Sequence, residues 1–199
     1  MEKTNVMRIL TQKKVNFTPH EYNPELTDGE NIAKVLQEDP LQVFKTLVTV
    51  ANTGEHLVFM IPVCANLDLK KAAMAAQVKN VLMIKQKELL PLTGYIHGGC
   101  SPLGMKKTFR TFVEESAALY DTIFFSAGKV GFQVEMNADE LLPLVWTSVP
   151  MLSFACLPSI SAGRSKSFLI HTVPRTLSPF SRHVPGICIV AQSESSKSS

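Results

Sequence analysis

The sequence predicts an α+β fold in which helices surround a curled mixed or antiparallel sheet, or a partial barrel. Apolar residues make up 45% of the 199 residues, which is enough to form the core of one domain of ordinary size. Helix and strand patterns alternate along residues 1–145, and the strands are unevenly spaced. Two pairs of strands are joined by short turns typical of hairpins. These observations argue against a doubly wound parallel sheet, whose strands are joined through helices.

The first part of the chain predicts two helices separated by one strand. Residues 4–13 carry apolar side chains at helical spacing, with an N-cap at Thr4 or Asn5. Residues 17–22 are typical of a short strand. Asp28 can cap the second helix, because its carboxylate can accept from the free N–H groups of a first turn.

The clearest hairpin spans residues 43–62. A strand rich in β-branched residues at 43–50 is followed by the turn Asn52-Thr53-Gly54 and a returning strand at 56–62. The remaining elements are predicted in this order: a helix that Asn66 or Asp68 begins and that continues to Ala76, a strand at 81–84, a helical turn at 88–90, a Gly-rich loop at 93–104, a strand at 109–113, a short helix at 116–120, a hairpin of 123–126 with 132–136, and a helix to Leu144 with a capping box of Asn137 and Glu140.

The charge of the chain is unevenly distributed. Residues 1–145 hold 15 Lys and Arg against 16 Asp and Glu, whereas residues 146–199 hold 5 against 1. The net charge of +3 therefore comes from the second segment. A nearly neutral body does not indicate nucleic-acid binding by bulk charge, so any contact with RNA must depend on local clusters of basic residues.

The composition changes near Trp146 and predicts a boundary between residues 1–145 and a tail. The tail, 146–199, contains 13 Ser and 5 Pro and lacks helical or strand periodicity. We expect it to be mostly disordered or poorly packed. Its composition is compatible with a lineage-specific extension and also with out-of-frame coding.

The cysteines and the N-terminus indicate the compartment. Four cysteines, Cys64, Cys100, Cys156 and Cys188, are widely separated and form no CxxC pair, so neither a metal site nor a redox motif is predicted. The N-terminus lacks the apolar run of a secretory signal, and no run of apolar residues is long enough to span a membrane. We expect a cytoplasmic protein with reduced thiols, no cofactor and no membrane partner.

Lys45 is a candidate functional residue because it lies within an apolar strand. Alternation places it on one face with Val43 and Leu47. Its stem can lie along the apolar surface while the amine reaches water, which is a purely structural role. Alternatively, the amine lies at the mouth of a pocket and binds a phosphate or an ester oxygen.

The Gly-rich loop 98–104, followed by Met105, Lys106 and Lys107, is the second candidate. Its three glycines allow positive φ and leave backbone N–H groups unshielded, so the loop can direct donors at a carbonyl oxygen, as an oxyanion hole does. The loop matches neither GxGxxG nor a Walker motif. A structural turn is the alternative interpretation.

Five segments together resemble a known family. FKTL at 44–47, LDLKKAA at 67–73, TGYIHGGCSPLG at 93–104, SAGKVG at 126–131 and His20-x-Tyr22 are similar, in order and spacing, to the YbaK/EbsC family of Cys-tRNA(Pro) deacylases. That family is related to the editing domain of bacterial prolyl-tRNA synthetases. The resemblance covers residue 1 to about 145. It implies a pocket for the aminoacylated CCA end of tRNA, no metal, and prolyl-tRNA synthetase as a further partner.

The resemblance also implies roles for particular residues. The catalytic set is Lys45, Gly98, Gly99 and Ser101. The substrate-binding set is Tyr22, Thr46, Cys100, Pro102, Gly104, Lys106, Lys107, Ser126 and Gly128. The family is thought to use the cysteine thiol of the substrate to attack its own ester, so that the protein orients the ester and stabilises the oxyanion. Two departures are Ala127, where a glycine is frequent, and Gln133, where an acidic residue is common.

Two other functions remain open from the residues. In one, Cys100 is a nucleophile and His97 its base, which requires a lowered pKa of the thiol. In the other, the protein binds tRNA or a synthetase without turnover. Lys70, Lys71 and Arg110, together with Lys106 and Lys107, could contact phosphates of the acceptor end, or form an ordinary solvated surface.

Overall fold

The computed structural model describes residues 2–145 and, for Ala191 and Gln192, the backbone. The remaining residues of the predicted tail lie outside the described residues. Disorder or poor packing of that segment therefore stays a prediction.

Five α-helices are present among the described residues, and side chains cap most of them. Thr4, Asp28 and Asp68 accept hydrogen bonds from first-turn N–H groups of the first three helices, and Asn137 accepts from Asp139 and Glu140. The helices are α1 Asn5–Gln12, α2 Gly29–Leu36, α3 Leu69–Ala76, α4 Gln86–Thr93 and α5 Ala138–Val145, with a 3-10 helix at Glu115–Leu119.

The described strands form a seven-stranded mixed sheet and a two-stranded ladder. The strands are β1 Thr18–Glu21, β2 Val43–Ala51, β3 His56–Pro62, β4 Asn66–Leu67, β5 Val81–Met83, β6 Arg110–Val113, β7 Ile123–Ser126, β8 Phe132–Met136 and β9 Ala191–Gln192. The order in the large sheet is β1-β8-β7-β2-β3-β6, with β5 beside β2. The β2–β7 and β3–β6 pairs are parallel and the others antiparallel. The α+β class with a mixed sheet is confirmed, and the path is open rather than closed into a barrel.

The two faces of the sheet pack against different helices. Phe44 and Val48 of β2 belong to the main core, together with apolar residues of α1 and α5. Val43, on the opposite face, packs with Ala33 of α2. We call the first the core face and the second the α2 face. Adjacent residues of a strand point to opposite faces, so β2 contributes side chains to both.

Three elements differ from the sequence prediction. The predicted turn at 88–90 is the eight-residue helix α4, which accommodates Pro91 in its interior. The short helix at 116–120 is of 3-10 type. The strand β4 pairs with Ala191–Gln192, which lies far away in sequence. Local propensity gives no signal for such a pairing.

Candidate active site

Lys45 lies on the α2 face and its amine is held by the backbone. The Nζ atom donates to the carbonyl oxygen of Val63 at 2.8 Å, and the side chain is half-buried. Desolvation lowers the pKa of Lys45, while the nearby Cys64, Glu30 and Asp28 oppose this change. The bond to Val63 uses one of the three donors of the ammonium group, so two remain for a ligand.

The strand register places four polar residues side by side on the α2 face. In the β2–β7 ladder Val43 pairs with Phe124 and Phe44 with Phe125, so one further step brings Ser126 beside Lys45. Ser126 pairs with Gln133, and Gln133 with His20. Lys45, Ser126, Gln133 and His20 therefore form a row across β2, β7, β8 and β1, which we call the polar row.

The turn between β7 and β8 joins the Gly-rich loop to this row. A Cβ added at Gly99 would lie 3.1 Å from the nitrogen of Val130, so the loop packs directly on the turn. The N–H of Tyr22 donates to the oxygen of Gly131 at 2.9 Å on the other side. Gly128 N donates to Ser126 Oγ at 3.3 Å. Tyr22, the loop and Ser126 are thus brought together around one turn, and their roles in substrate binding stay predictions.

The groups of the predicted oxyanion hole differ in whether they are already hydrogen-bonded. The N–H of Gly99 donates to the oxygen of Ile96 at 3.1 Å, so it is occupied within the loop. Ser101 is fully buried, and its hydroxyl accepts from the N–H of Leu103 at 3.5 Å. The N–H groups of Gly98, Cys100 and Ser101 make no hydrogen bond within the described part of the chain. These three backbone donors are therefore the ones that are not already used within the loop.

Thr46 differs from Lys45 in its orientation. Its side chain points to the core face, and its hydroxyl is buried without a hydrogen-bond partner among the described residues. The backbone offers another contact. β7 pairs with β2 only at Val43 and Phe44, while β5 pairs with the same edge from Thr49 onward. The carbonyl oxygen of Val43 accepts from the N–H of Val63, which directly follows β3. The N–H and C=O groups of successive strand residues point to alternate edges, so those of Thr46 point into the gap between β7 and β5.

An open depression of about 500 Å³ lies beside the turn. It contains Tyr22 and one basic residue, Lys129, whose Nζ lies 2.6 Å from Glu2 Oε2. The lining residues are Glu21, Tyr22, Asn23, Pro24, Lys129, Val130, Gly131 and Phe132.

Several predicted contacts lie away from the polar row. Pro102, Gly104 and Lys107 line a separate depression of about 180 Å³ with residues of α1, β6 and α5. Gly104 is required there by packing, because a Cβ would lie 2.7 Å from Asn5 Nδ2. Lys106 is exposed and donates to the oxygen of Leu90 at 3.4 Å. Their roles in substrate binding stay predictions.

The basic residues proposed for phosphate contact differ in their availability. Lys70 and Lys71 are exposed at the start of α3. The guanidinium of Arg110 donates to the oxygen of Ala76 and lies 3.6 Å from Glu55 Oε2. Arg110 therefore ties β6 to neighbouring elements, which is a structural role.

Cys100 is in an environment that disfavours a nucleophilic thiolate. The residue is 8% exposed, and burial raises the pKa of the thiol to about 12. His97 is exposed, and no hydrogen bond joins it to Cys100 in residues 2–145. The thiol is therefore protonated at neutral pH, which argues against the cysteine-hydrolase alternative.

Sequence reasoning singled out His20 but missed the other members of a second group of polar residues on the α2 face. His20 Nε2 lies 3.1 Å from Glu135 Oε2, and Thr122 Oγ1 donates to Glu135 Oε1 at 2.8 Å. Both carboxyl oxygens of Glu38 are buried without a described partner. Burial and the charge of Glu135 raise the pKa of Glu38 to about 7. No sequence signal could have found this group, since Glu38 and Glu135 are 97 positions apart.

Other classes of site find no support among the described residues. No group of three or more His, Cys, Asp or Glu side chains is arranged to hold a metal ion in residues 2–145. Within the same residues no helix has the length and apolar character needed to cross a bilayer.

Comparison with known proteins identifies the class of this chain. Residues 23–144 match the model of the aminoacyl-tRNA editing domain, and the chain belongs to that family. A curated relative from Enterococcus faecalis (strain ATCC 700802 / V583) is 43% identical over 145 residues, covering 72% of this chain and 88% of the relative. That relative is named "Putative Cys-tRNA(Pro)/Cys-tRNA(Cys) deacylase EbsC". The family resemblance and the class of enzyme expected from the sequence are confirmed.

Solved structures support the fold assignment. The crystal structure of "a putative trans-editing enzyme for prolyl tRNA synthetase" matches with a TM-score of 0.62 and 21% identity, covering 70% of this chain and 90% of the other. The crystal structure of "hypothetical protein APE2540" matches with a TM-score of 0.66 and 20% identity, covering 72% and 93%. At these identities the matches show a shared fold.

Proposed function

We propose that this protein deacylates Cys-tRNA(Pro) in trans, as a free-standing editing enzyme of the cytoplasm. The observation that carries the proposal is the polar row. In it Lys45, whose amine Val63 holds, is one register step beyond the last β2–β7 pair, level with Ser126 and next to the turn that supports the Gly-rich loop. Family membership and the 43% identical relative support the same activity.

In the proposed reaction the substrate supplies the nucleophile. The thiolate of the cysteinyl group attacks its own ester carbonyl, the bond to the ribose oxygen breaks, and that oxygen takes up a proton. The product is a cyclic thioester, which water then hydrolyses to cysteine. Such intramolecular attack has a very high effective concentration, of order 10⁵ M when the groups are aligned. The protein is therefore required mainly to align the ester and to stabilise negative charge on its carbonyl oxygen.

The chain offers suitable groups for both tasks. Two remaining donors of the Lys45 ammonium can bind the ribose or a phosphate of the terminal adenosine. The free N–H groups of Gly98, Cys100 and Ser101 can donate to the oxyanion, whose stabilisation is usually the largest single contribution in acyl transfer. The backbone of Thr46 can add a contact at the gap in the sheet.

The charge balance of residues 1–145 suggests that the protein needs a protein partner to bind tRNA tightly. Residues 1–145 are nearly neutral, with 15 basic and 16 acidic side chains. Few counterions can be released on tRNA binding, so the isolated protein should bind tRNA weakly. A complex with prolyl-tRNA synthetase would supply the missing affinity.

The test is single-turnover deacylation of Cys-tRNA(Pro) and Ser-tRNA(Pro) from pH 6 to 9. The cysteinyl ester should react orders of magnitude faster, with a rate that rises toward the thiol pKa of about 8.5, because the serine hydroxyl is scarcely ionised. The same rates are measured for Cys-tRNA(Cys) and Ala-tRNA(Pro), so that the preferred aminoacyl group and tRNA can be compared. Equal rates for the two esters would point to water as the nucleophile, and tight tRNA binding without product would favour a binding module.

A further inference from the structure

Gln133 combines deep burial with an unused hydrogen-bond acceptor. Gln133 is 5% exposed, and its side-chain oxygen Oε1 has no hydrogen-bond partner among the described residues. A buried carbonyl without a partner destabilises a fold, and native proteins rarely tolerate one without a functional reason. The unpaired Oε1 atom therefore indicates that a hydrogen-bond donor from outside the described residues belongs beside Gln133.

The register assigns this acceptor to the candidate site. Gln133 lies between Ser126 and His20 in the polar row, two strands away from Lys45 and on the same face. Its neighbours along β8, Phe132 and Val134, pack toward the core face. The missing donor must therefore come from the α2 side, where the substrate is expected.

The chemistry of the other site groups indicates which donor is missing. The amine of Lys45 and the N–H groups of the loop are donors, so they suit the oxygens of an ester, a ribose or a phosphate. An aminoacyl ester also carries an α-amino group, which in its ammonium form can only donate. Neither Lys45 nor the loop N–H groups can accept from it.

We propose that Gln133 Oε1 accepts a hydrogen bond from the α-amino group of the aminoacyl ester. This inference rests on the proposed function and adds a specificity-determining residue to it. The site would then accept esters with a free α-amino group and reject those in which it is acylated. A site built to pair a polar substrate group discriminates strongly against an analogue that lacks it.

An amide suits this position better than a carboxylate in this chain. Glu135 lies two residues along the same strand on the same face, and Glu38 lies close enough for the charge of Glu135 to raise its pKa. A third carboxylate would add like charges in a buried region. A neutral amide can accept from an ammonium group without that cost.

The experiment is a double-mutant cycle between the protein and the substrate. Single-turnover rates are measured for Cys-tRNA(Pro) and N-acetyl-Cys-tRNA(Pro) with the unmodified protein, Gln133→Leu and Gln133→Met. The intrinsic effect of acetylation on the thiol and ester cancels, because it is present with every protein. We expect Gln133→Leu to lower the rate for the free amine about tenfold or more, as for removal of a hydrogen bond to a charged group, and to leave the acetylated ester almost unchanged.

Controls separate this role from a structural one. Gln86→Leu changes an exposed glutamine on α4 and should preserve the ratio of the two rates. Gln133→Met retains the side-chain volume should Gln133→Leu fail to fold, and circular dichroism checks each variant. An equal loss for both esters, or an unchanged ratio, would overturn the assignment of Gln133.

A binding version distinguishes failure of this inference from failure of the proposed function. Affinity is measured for a stable 3′-cysteinylamido adenosine with a free or an acetylated α-amino group. Coupling to Gln133 in binding, without turnover of any ester, would refute the deacylase and retain the amine contact. Turnover of the esters without coupling to Gln133 would retain the deacylase and refute the amine contact.

Discussion

The Nζ atom of Lys45 donates a hydrogen bond to the carbonyl oxygen of Val63 at 2.8 Å. Val63 follows β3 and packs against the start of α2, where a Cβ added at Gly29 would lie 2.7 Å from Val63 Cγ1. The bond therefore holds the amine between the sheet and the beginning of a helix. A lysine whose stem merely covered apolar surface would not need such a partner.

Lys45→Ala should lower deacylation of Cys-tRNA(Pro) by about 10²-fold, the typical effect of removing one electrostatic contact to a reacting group. The free energy of unfolding of the Lys45→Ala protein should change by only about 1 kcal/mol, because the Lys45 side chain is half-buried. Single-turnover rates and thermal melting check both, with Lys79→Ala as the exposed control. Near-normal rates in a folded Lys45→Ala protein would remove Lys45 from the site.

Gly99→Ala should impair catalysis more than stability. The added Cβ would lie 3.1 Å from the nitrogen of Val130, so the loop must move by a few tenths of an ångström away from the turn. The matched control is Gly54→Ala, where φ is +83° and no atom lies within 4 Å. Both variants should lose roughly 1 kcal/mol of stability. Only Gly99→Ala should slow deacylation. Equal deacylation rates for the Gly99→Ala and Gly54→Ala proteins would show that the position of the loop is unimportant for catalysis.

Cys100→Ser should retain substantial activity, within about tenfold, because a thiol with a pKa of about 12 is protonated at neutral pH. His97→Ala should likewise remain active. Rates for both variants are compared with thermal stability. A loss of several orders of magnitude in a stable Cys100→Ser protein would restore the cysteine-hydrolase mechanism.

Glu38→Gln should stabilise the protein at high pH. The pKa of Glu38 is raised from 4.5 to about 7 in the folded state. Between these values the folded state binds a proton that the unfolded state releases, so stability falls as pH rises through this range. The variant should have a Tm higher by roughly 2–4 °C at pH 8, equivalent to about 1 kcal/mol, and nearly unchanged at pH 4.5. Glu25→Gln, at an exposed position, is the control variant. A gain in Tm for Glu38→Gln that is equal at both pH values would contradict the assignment.

Removal of the chain after Trp146 should preserve both fold and activity. Among the described residues, the truncation removes the two-residue ladder between β4 and β9, and the motifs of the family all precede the cut. We expect the Tm to change by only a few degrees. An insoluble or unfolded truncated protein would show that residues 1–145 do not form an independent domain.

Local features were predictable because they depend on residues close together in sequence. The N-caps at Thr4, Asp28 and Asp68 need only a side-chain oxygen next to a first helical turn, and all three are present. The hairpins of β2 with β3 and of β7 with β8 need only two strands and a turn. Motif order and spacing were likewise enough to indicate the family.

Only the tertiary structure decided which of these residues meet. The polar row depends on the parallel pairing of β2 with β7 and on the pairing of β1 with β8, which join segments about 80 and 115 residues apart. The tertiary packing also buries the acceptor of Gln133 and brings Glu38 near Glu135. Sequence pattern reports which side chains share a strand face, but the alignment between distant strands results from packing of the whole core.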